Sequence, residues 1–381
     1  MTAFRVAVVG GATYAIARSG NLYAIPASGA APGAPTYVRY QQADQIAPAG
    51  ATGWIVPHLA MITWEAPTSG GTVTSYVITP SISGVAQTPV TCTVSSLTKL
   101  GQYIPGNADS WTVTAVGPGG SSSPVTATPV GPSGALTVYT NDVTVPPGGN
   151  ISNFDIHDSH LILGDGATAT NGIVRGWTTG ETVAYLQAGA NCTITDVRVG
   201  GGADGVTPST GANGFLCGGP GTVMKRCEIR YVGDGIHCDG GVIFDGVLVH
   251  FLANSATSPV SSPHSDALQT LSVSPSGPIN VYRSLWMGGT ATNMFFEDWG
   301  NGPTSGVDID TNVILSERNG GGSSGFAINF ANTGSQGNPI SCRVVNNWIS
   351  NSADWTVAGG GLSLPTNAVT SGNYHLDGSP A

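Results

Sequence analysis

The chain has 381 residues, room for two or three domains, and 40% of them are hydrophobic alongside 56 glycines and 25 prolines. That is too apolar for a disordered chain, and charged residues at 9% are too few for long exposed helices. Twelve basic residues in a net charge of −10 exclude a clustered basic face for nucleic acid, and no stretch approaches the roughly 20 apolar residues of a membrane span.

Residues 1–47 alternate apolar and polar side chains in Phe4-Arg-Val-Ala-Val-Val9, Thr13-Tyr-Ala-Ile-Ala17 and Asn21-Leu-Tyr-Ala-Ile25. Gly10-Gly11 and Ser19-Gly20-Asn21 lie between them as turn signals, so a small β-meander is expected. Ala27 to Pro35 reads as a Pro/Ala/Gly linker. Met1 to Val9 holds one basic residue and a short apolar run, not the pattern of a secretory signal, which predicts a protein made and retained in the cytoplasm or assembled there into something larger.

Residues 48–131 show several short alternating strands with turn signals between them, the pattern of a β-sandwich. Ile62-Thr-Trp64-Glu-Ala-Pro67, Ser75-Tyr76-Val-Ile78, Leu97 and Trp111-Thr-Val-Thr-Ala-Val116-Gly-Pro-Gly-Gly-Ser121 resemble a fibronectin type III module. The late aromatic is Trp111, with Tyr103 upstream, which departs from the family's tyrosine corner. The resemblance implies a spacer or adhesion unit, closed by the linker Pro129 to Gly134.

Residues 137–381 hold seven segments of one shape: Ile151–Ile156, Ile194–Val199, Met224–Ile229, Phe244–Val249, Tyr282–Met287, Asp310–Leu315 and Val345–Ser350. Their starts are 43, 30, 20, 38, 28 and 35 residues apart, the irregular spacing of a solenoid whose turns carry variable loops. Asp245-Gly246, Thr311-Asn312, Asn346-Asn347 and Ser371-Gly-Asn373 supply corner residues that tolerate a left-handed backbone, and asparagines there can stack coil on coil. The segment resembles right-handed parallel β-helix proteins of the pectate-lyase-like type, with about eight turns. Cysteines 92, 192, 217, 227, 238 and 342 form no C-x-x-C pair, so they are expected as reduced core residues, with a disulfide between neighbouring turns as the alternative.

A second ladder is expected from Gly214–Cys217, Asp234–Asp239, Asp266–Thr270, Asn293–Asp298 and Gly325–Asn329. With Phe215, Ile236, Leu268, Met294 and Phe326 inward, alternation turns His237, Gln269, Phe295 and Ala327 outward in one row. Asp239, Glu297 and Asn329 follow two residues on, and His264 and Asp266 sit in an entering turn. Asp234, His237, Asp239, His264, Asp266, Glu297 and Asp298 are therefore the candidate catalytic groups, because glycoside hydrolysis needs two carboxylates about 5 to 9 Å apart. Gln269, Phe295 and Trp299 are candidate carbohydrate contacts, and Trp286, Trp348 and Trp355 are further aromatics read as exposed sugar platforms or subunit contacts, with burial in the core as the alternative and core or interface favoured for Trp348, which follows Asn346-Asn347. The bland alternative is that Asp and His at these corners only satisfy backbone groups. Asp308-x-Asp310 places two carboxylates on one face, a weak candidate for Ca²⁺. A lyase would need a basic proton acceptor, for which Arg283 and Arg318 are present.

A sandwich followed by a β-helix resembles the minor tail proteins, tail fibres and tailspikes of tailed bacteriophages. The resemblance implies a virion protein assembled in the host cytoplasm, a homotrimer among other tail proteins, attaching to a cell-surface polysaccharide of the host. The alternatives are a polysaccharide depolymerase, hydrolase or lyase, and a purely architectural tail-tip subunit.

Overall fold

The computed structural model describes residues 5–9, 12–16, 22–25, 29–42, 59–176, 184–202, 213–238, 240–250, 252, 266–270, 277–287, 292–297, 306–316, 325–331, 341–351 and 361–381. Among the described residues the regular structure is β-strand, apart from one 3-10 turn at Val94–Ser96. The chain divides into two compact units: Met1–Val38, Trp64–Leu97 and Ala108–Ala127 form one, and Arg39–Thr63, Thr98–Asn107 and Thr128–Ala381 form the other.

In the first unit, Arg5–Val9, Ala12–Ile16 and Leu22–Ile25 pair antiparallel in chain order. A second antiparallel sheet is centred on Ser75–Ile82 and Ser110–Gly117. Strict alternation buries Tyr76 and Ile78 on one strand and Trp111, Val113 and Ala115 on the other, so one face of the sheet is apolar. Trp64 joins that core, its ring 5.1 Å from Tyr76. Part of the expected linker pairs instead: Gly33 N–H donates to Ser69 C=O at 3.0 Å and Gly71 N–H to Ala31 C=O at 3.0 Å. Backbone groups left bare at a sheet edge favour such pairing.

The second unit is built on a parallel β-helix. Along its nine-stranded sheet the in-register row is Val143, Leu161, Leu186, Phe215, Ile236, Leu268, Met294, Ile328 and Leu362, one residue per coil. Nine coils result among the described residues, against about eight expected. A coil takes from 18 residues (Val143 to Leu161) to 34 (Met294 to Ile328), so loop length varies while the strands stay aligned. The row from Leu161 to Ile328 is fully buried, and each such side chain contributes about 1.5–3 kcal/mol through burial.

A sixteen-stranded parallel sheet supplies the other two faces. Its strands bend at a corner where the backbone is left-handed in every coil: Asn153, Asn171, Asp196, Arg226, Gly246, Arg283, Thr311, Asn346 and Gly372 all have positive φ. The next residue points into the core and changes character along the axis. It is Phe154, then Gly172, Val197, Cys227, Val247 and Ser284, and finally Asn312, Asn347 and Asn373. Gly172 is required there, because a Cβ would lie 2.2 Å from the Phe154 ring. Asn312 Nδ2 donates to Asn347 Oδ1 at 3.0 Å and Asn347 Nδ2 to Asn373 Oδ1 at 3.0 Å. One asparagine per corner is expected to do both tasks; the structure divides them between left-handed Thr311, Asn346 and Gly372 and the stacked residue that follows each.

All six cysteines are free and buried. Cys217 and Cys238 are register partners on consecutive coils, both facing inward. Trp286, read as exposed, is fully buried against Phe244, because the corner resets the alternation and turns Leu285 outward instead. Outward Leu248, Leu285, Met287, Val313 and Leu315 are nevertheless covered, by Leu59, Met61 and Val130 of the same unit. Gln41 fixes this cover: Leu285 N–H donates to its Oε1 at 2.7 Å and its Nε2 donates to Arg283 C=O at 2.8 Å.

Candidate functional site

The outer face of the nine-stranded sheet carries the row Ile162, Gln187, Leu216, His237, Gln269, Phe295, Asn329 and Ser363, each one coil, about 4.8 Å, from the next. His237, Gln269 and Phe295 stack as the sequence predicts. The partner of Phe295 is Asn329, not Ala327, which is fully buried, and Ile328 takes the inward place expected for Phe326. Phe326, Ile328 and Phe330 share one phase of the alternation, so the pattern alone permits a slip of two residues.

Beside this row lies a second, three residues upstream: Asn213, Asp234, Asp266 and Thr292. Asp234 is fixed from two sides. Asp266 N–H donates to its Oδ1 at 3.0 Å, and its Oδ2 lies 3.3 Å from His237 Nε2. Asn213 Nδ2 faces His237 Nδ1 at 3.3 Å. With Nδ1 accepting, the ring proton sits on Nε2, which lies 3.3 Å from the carboxylate without a hydrogen bond to it. The result is a carboxylate and an imidazole side by side on one coil, each held by a residue of a neighbouring coil. His237 and Gln269 are buried to 9% exposure each and Asp266 fully, so Asp234, its side chain 20% exposed, is the most open to solvent of these four.

Asn213 was not among the sequence candidates. It precedes inward Phe215 by the same two residues that separate Asp234 from Ile236 and Asp266 from Leu268, and that offset was the available signal. Glu297 pairs with Ala331 through its backbone. Asp239, His264, Asp298, Trp299, Arg318 and Trp355 lie outside the described residues.

Asp308 and Asp310 stand on the sixteen-stranded sheet, away from this row. They share a face, and Arg343 lies between them: its Nη1 reaches Asp308 Oδ1 at 2.7 Å and its Nη2 reaches Asp310 Oδ2 at 2.9 Å. A guanidinium therefore occupies the place of the cation proposed for that pair. Thr98 Oγ1 and Thr311 Oγ1 each donate to Asp310 Oδ1 at 2.8 Å. Arg283, a candidate proton acceptor, is clamped bidentately to Asp245 at the corner, at 2.6 and 2.7 Å. Trp348 is half-buried with its ring 5.8 Å from Tyr103.

Charged groups on the other faces form staples between coils. Arg226 grips Asp196, and Arg175 grips Asp155. Buried Glu228 accepts from Arg198, Arg230 and His250. Burial alone would raise the Glu228 carboxyl, but the His250 hydrogen bond and the two guanidinium charges outweigh it and hold it well below the usual carboxylate range.

No family profile matches this sequence, and no curated protein matches it. Solved structures similar to the chain include a pectate lyase from Pectobacterium carotovorum, at 12% identity and a TM-score of 0.45 over 85% of this chain and 98% of that one. The tailspike protein of Pseudomonas phage LKA1 aligns at 11% identity and a TM-score of 0.24 over 91% of this chain and 67% of that one. A family 28 exopolygalacturonase from Yersinia enterocolitica aligns at 10% identity and a TM-score of 0.19 over 90% of each chain. Likenesses at this level assign neither an activity nor a ligand to the chain.

Proposed function

We propose that this chain is a tail protein of a tailed bacteriophage that contributes to host attachment by holding a cell-surface glycan along the outer face of the nine-stranded sheet. The observation that carries the reading is the oriented set Asn213, Asp234 and His237 in line with Gln269, Phe295 and Asn329. Donors, acceptors and an aromatic face at a spacing of about 4.8 Å suit a linear hydroxyl-rich polymer. The module at residues 48–131 acts as a fibronectin type III-like spacer, and the assembled form is a homotrimer among other tail proteins. Surface plasmon resonance with immobilised host-envelope polysaccharide tests the attachment role. His237→Ala is expected to weaken binding about tenfold, the worth of one good hydrogen bond. A wild-type protein that binds no envelope polysaccharide would sink the reading.

The Asp234–His237 pair favours a second reading, a polysaccharide depolymerase. Asp234 and Asp266 lie on consecutive coils, where the Asp266 N–H donates to Asp234 Oδ1 at 3.0 Å, and the hydrogen-bonded Asp234 suits a base or nucleophile. New reducing ends or unsaturated uronates that disappear in Asp234→Asn would establish it. Polysaccharide left intact under saturating binding leaves attachment alone.

A further inference from the structure

A second groove lies on a different face, the first ladder of the sixteen-stranded sheet. Its floor is the outward row Asn280, Asp308, Arg343 and Val369, in register over four consecutive coils. Its wall is the residue two places earlier in each coil: Pro278, Gly306, Ser341 and Asn367. The space between them is about 440 Å³, within the range of small-ligand sites.

The polar groups on the floor are held in place before any ligand arrives. Arg343 is fixed by Asp308 and Asp310, and the Tyr282 hydroxyl donates to Asp308 Oδ2 at 3.0 Å, with Asn280 Oδ1 at 3.1 Å. Lys99 Nζ caps the Tyr282 ring at 3.6 Å from its centroid. Two carboxylates face two cations, so the charges cancel within the cluster. The Asp308 and Arg343 side chains remain 28% and 38% exposed, enough to present their edges to a ligand. Val369, 61% exposed, adds an aliphatic surface at one end. An anion gains nothing from a cluster of balanced charge, whereas vicinal hydroxyls can both donate to Asp308 and accept from Arg343. Gly306 keeps the wall low: a Cβ there would stand 2.7 Å from Ser341 Oγ and narrow the groove.

We propose that this groove is a second carbohydrate site, independent of the His237 row, that takes an uncharged oligosaccharide laid across the coils. The test is calorimetric titration of the full chain carrying His237→Ala with cellohexaose, maltohexaose and chitohexaose, and with hexagalacturonate as the charged comparison. At least one neutral hexaose is expected to bind the His237→Ala protein, and its affinity is expected to fall about tenfold or more on adding either Asn280→Ala or Gly306→Val. Two variants are used because a folding defect in one leaves the other informative, and thermal melting identifies such a defect. Absence of neutral-hexaose binding, binding unaffected by both substitutions, or a preference for hexagalacturonate overturns the second site. Binding that vanishes with His237→Ala alone also overturns it, and leaves the attachment reading on the other face intact.

Discussion

Asn347 stands directly over Asn312 and accepts its Nδ2 proton at 3.0 Å, while also accepting the Asn312 backbone N–H at 2.9 Å. Its own Nδ2 bridges Ile309 C=O at 3.1 Å and Asn373 Oδ1 at 3.0 Å. One side chain thus satisfies buried polar groups on the coils either side of its own. Asn347→Ala leaves the Asn312 N–H and Ile309 C=O buried without partners, at about 1–3 kcal/mol each. We expect a loss of about 3 kcal/mol in urea unfolding. Asn346→Gly, one residue away, keeps the φ of 57° without strain and loses only the Nδ2 hydrogen bonds to Thr98 Oγ1 at 2.9 Å and Asp310 Oδ1 at 3.2 Å, so it is expected to cost less, about 1 kcal/mol. Equal losses from the two substitutions would contradict the division of tasks at the corner.

Glu228 provides an acid-side prediction. Its folded pKa lies below the ordinary 4.5, so its contribution is fully present above pH 4.5 and declines as pH falls toward the folded value. Glu228→Gln leaves Arg198 and Arg230 without their buried counter-charge and is expected to cost about 3–5 kcal/mol at neutral pH. Stability of the variant should also fall less steeply than wild type between pH 4.5 and lower values. Parallel pH profiles for the two proteins would show that the carboxylate is not ionised by its surroundings.

The thiols make the opposite prediction at high pH. Burial pushes Cys227 and Cys342 up to about 12 and Cys92 to about 11, from an ordinary value of 9.0. A raised folded pKa leaves stability untouched below pH 9.0 and erodes it as pH climbs toward 11 and 12, because the unfolded chain ionises first. The loss is about 1.4 kcal/mol per pH unit for each thiol. Native protein at pH 8 should resist iodoacetamide at all six cysteines and react once denatured, as mass spectrometry would record. Rapid native alkylation of Cys227 would contradict its place in the core.

Salt dependence tests the character of the glycan. Arg175, Arg198, Arg226, Arg230, Arg283 and Arg343 are each paired to a carboxylate of the solenoid. None belongs to the His237 row, whose described members are uncharged apart from the titratable His237 and its neighbour Asp234. Glycan affinity should therefore change less than about threefold between roughly 0.05 and 0.5 M salt. A steep loss with salt would point to polyanion binding.

Much of the solenoid was legible because burial repeats with the coil. Inward Ile194, Met224, Phe244, Val281, Ile309 and Val344 follow one another whatever the loop length, and a period-2 strand exposes that phase in sequence. Register was less legible. Phe326 and Ile328 are equivalent choices to a pattern reader, and only pairing with Met294 selects Ile328. Trp286 was misread because the left-handed Arg283 breaks the alternation before it. The Arg343 bridge was invisible for another reason: Asp308 and Arg343 meet across 35 residues, a distance set by one loop. The same holds for Asn213 and His237, brought together by the winding of a coil.

The left-handed corner serves as an index mark for the whole winding. It recurs in all nine coils, while the connections elsewhere stretch a coil from 18 residues to 34. Lengthening such a connection changes what the surface displays and leaves the deeper rungs in step. Dropping one residue at Arg226–Cys227 would invert the facing of the strand that follows. A recognition surface mounted on this axis can diverge quickly while the axis itself stays constant.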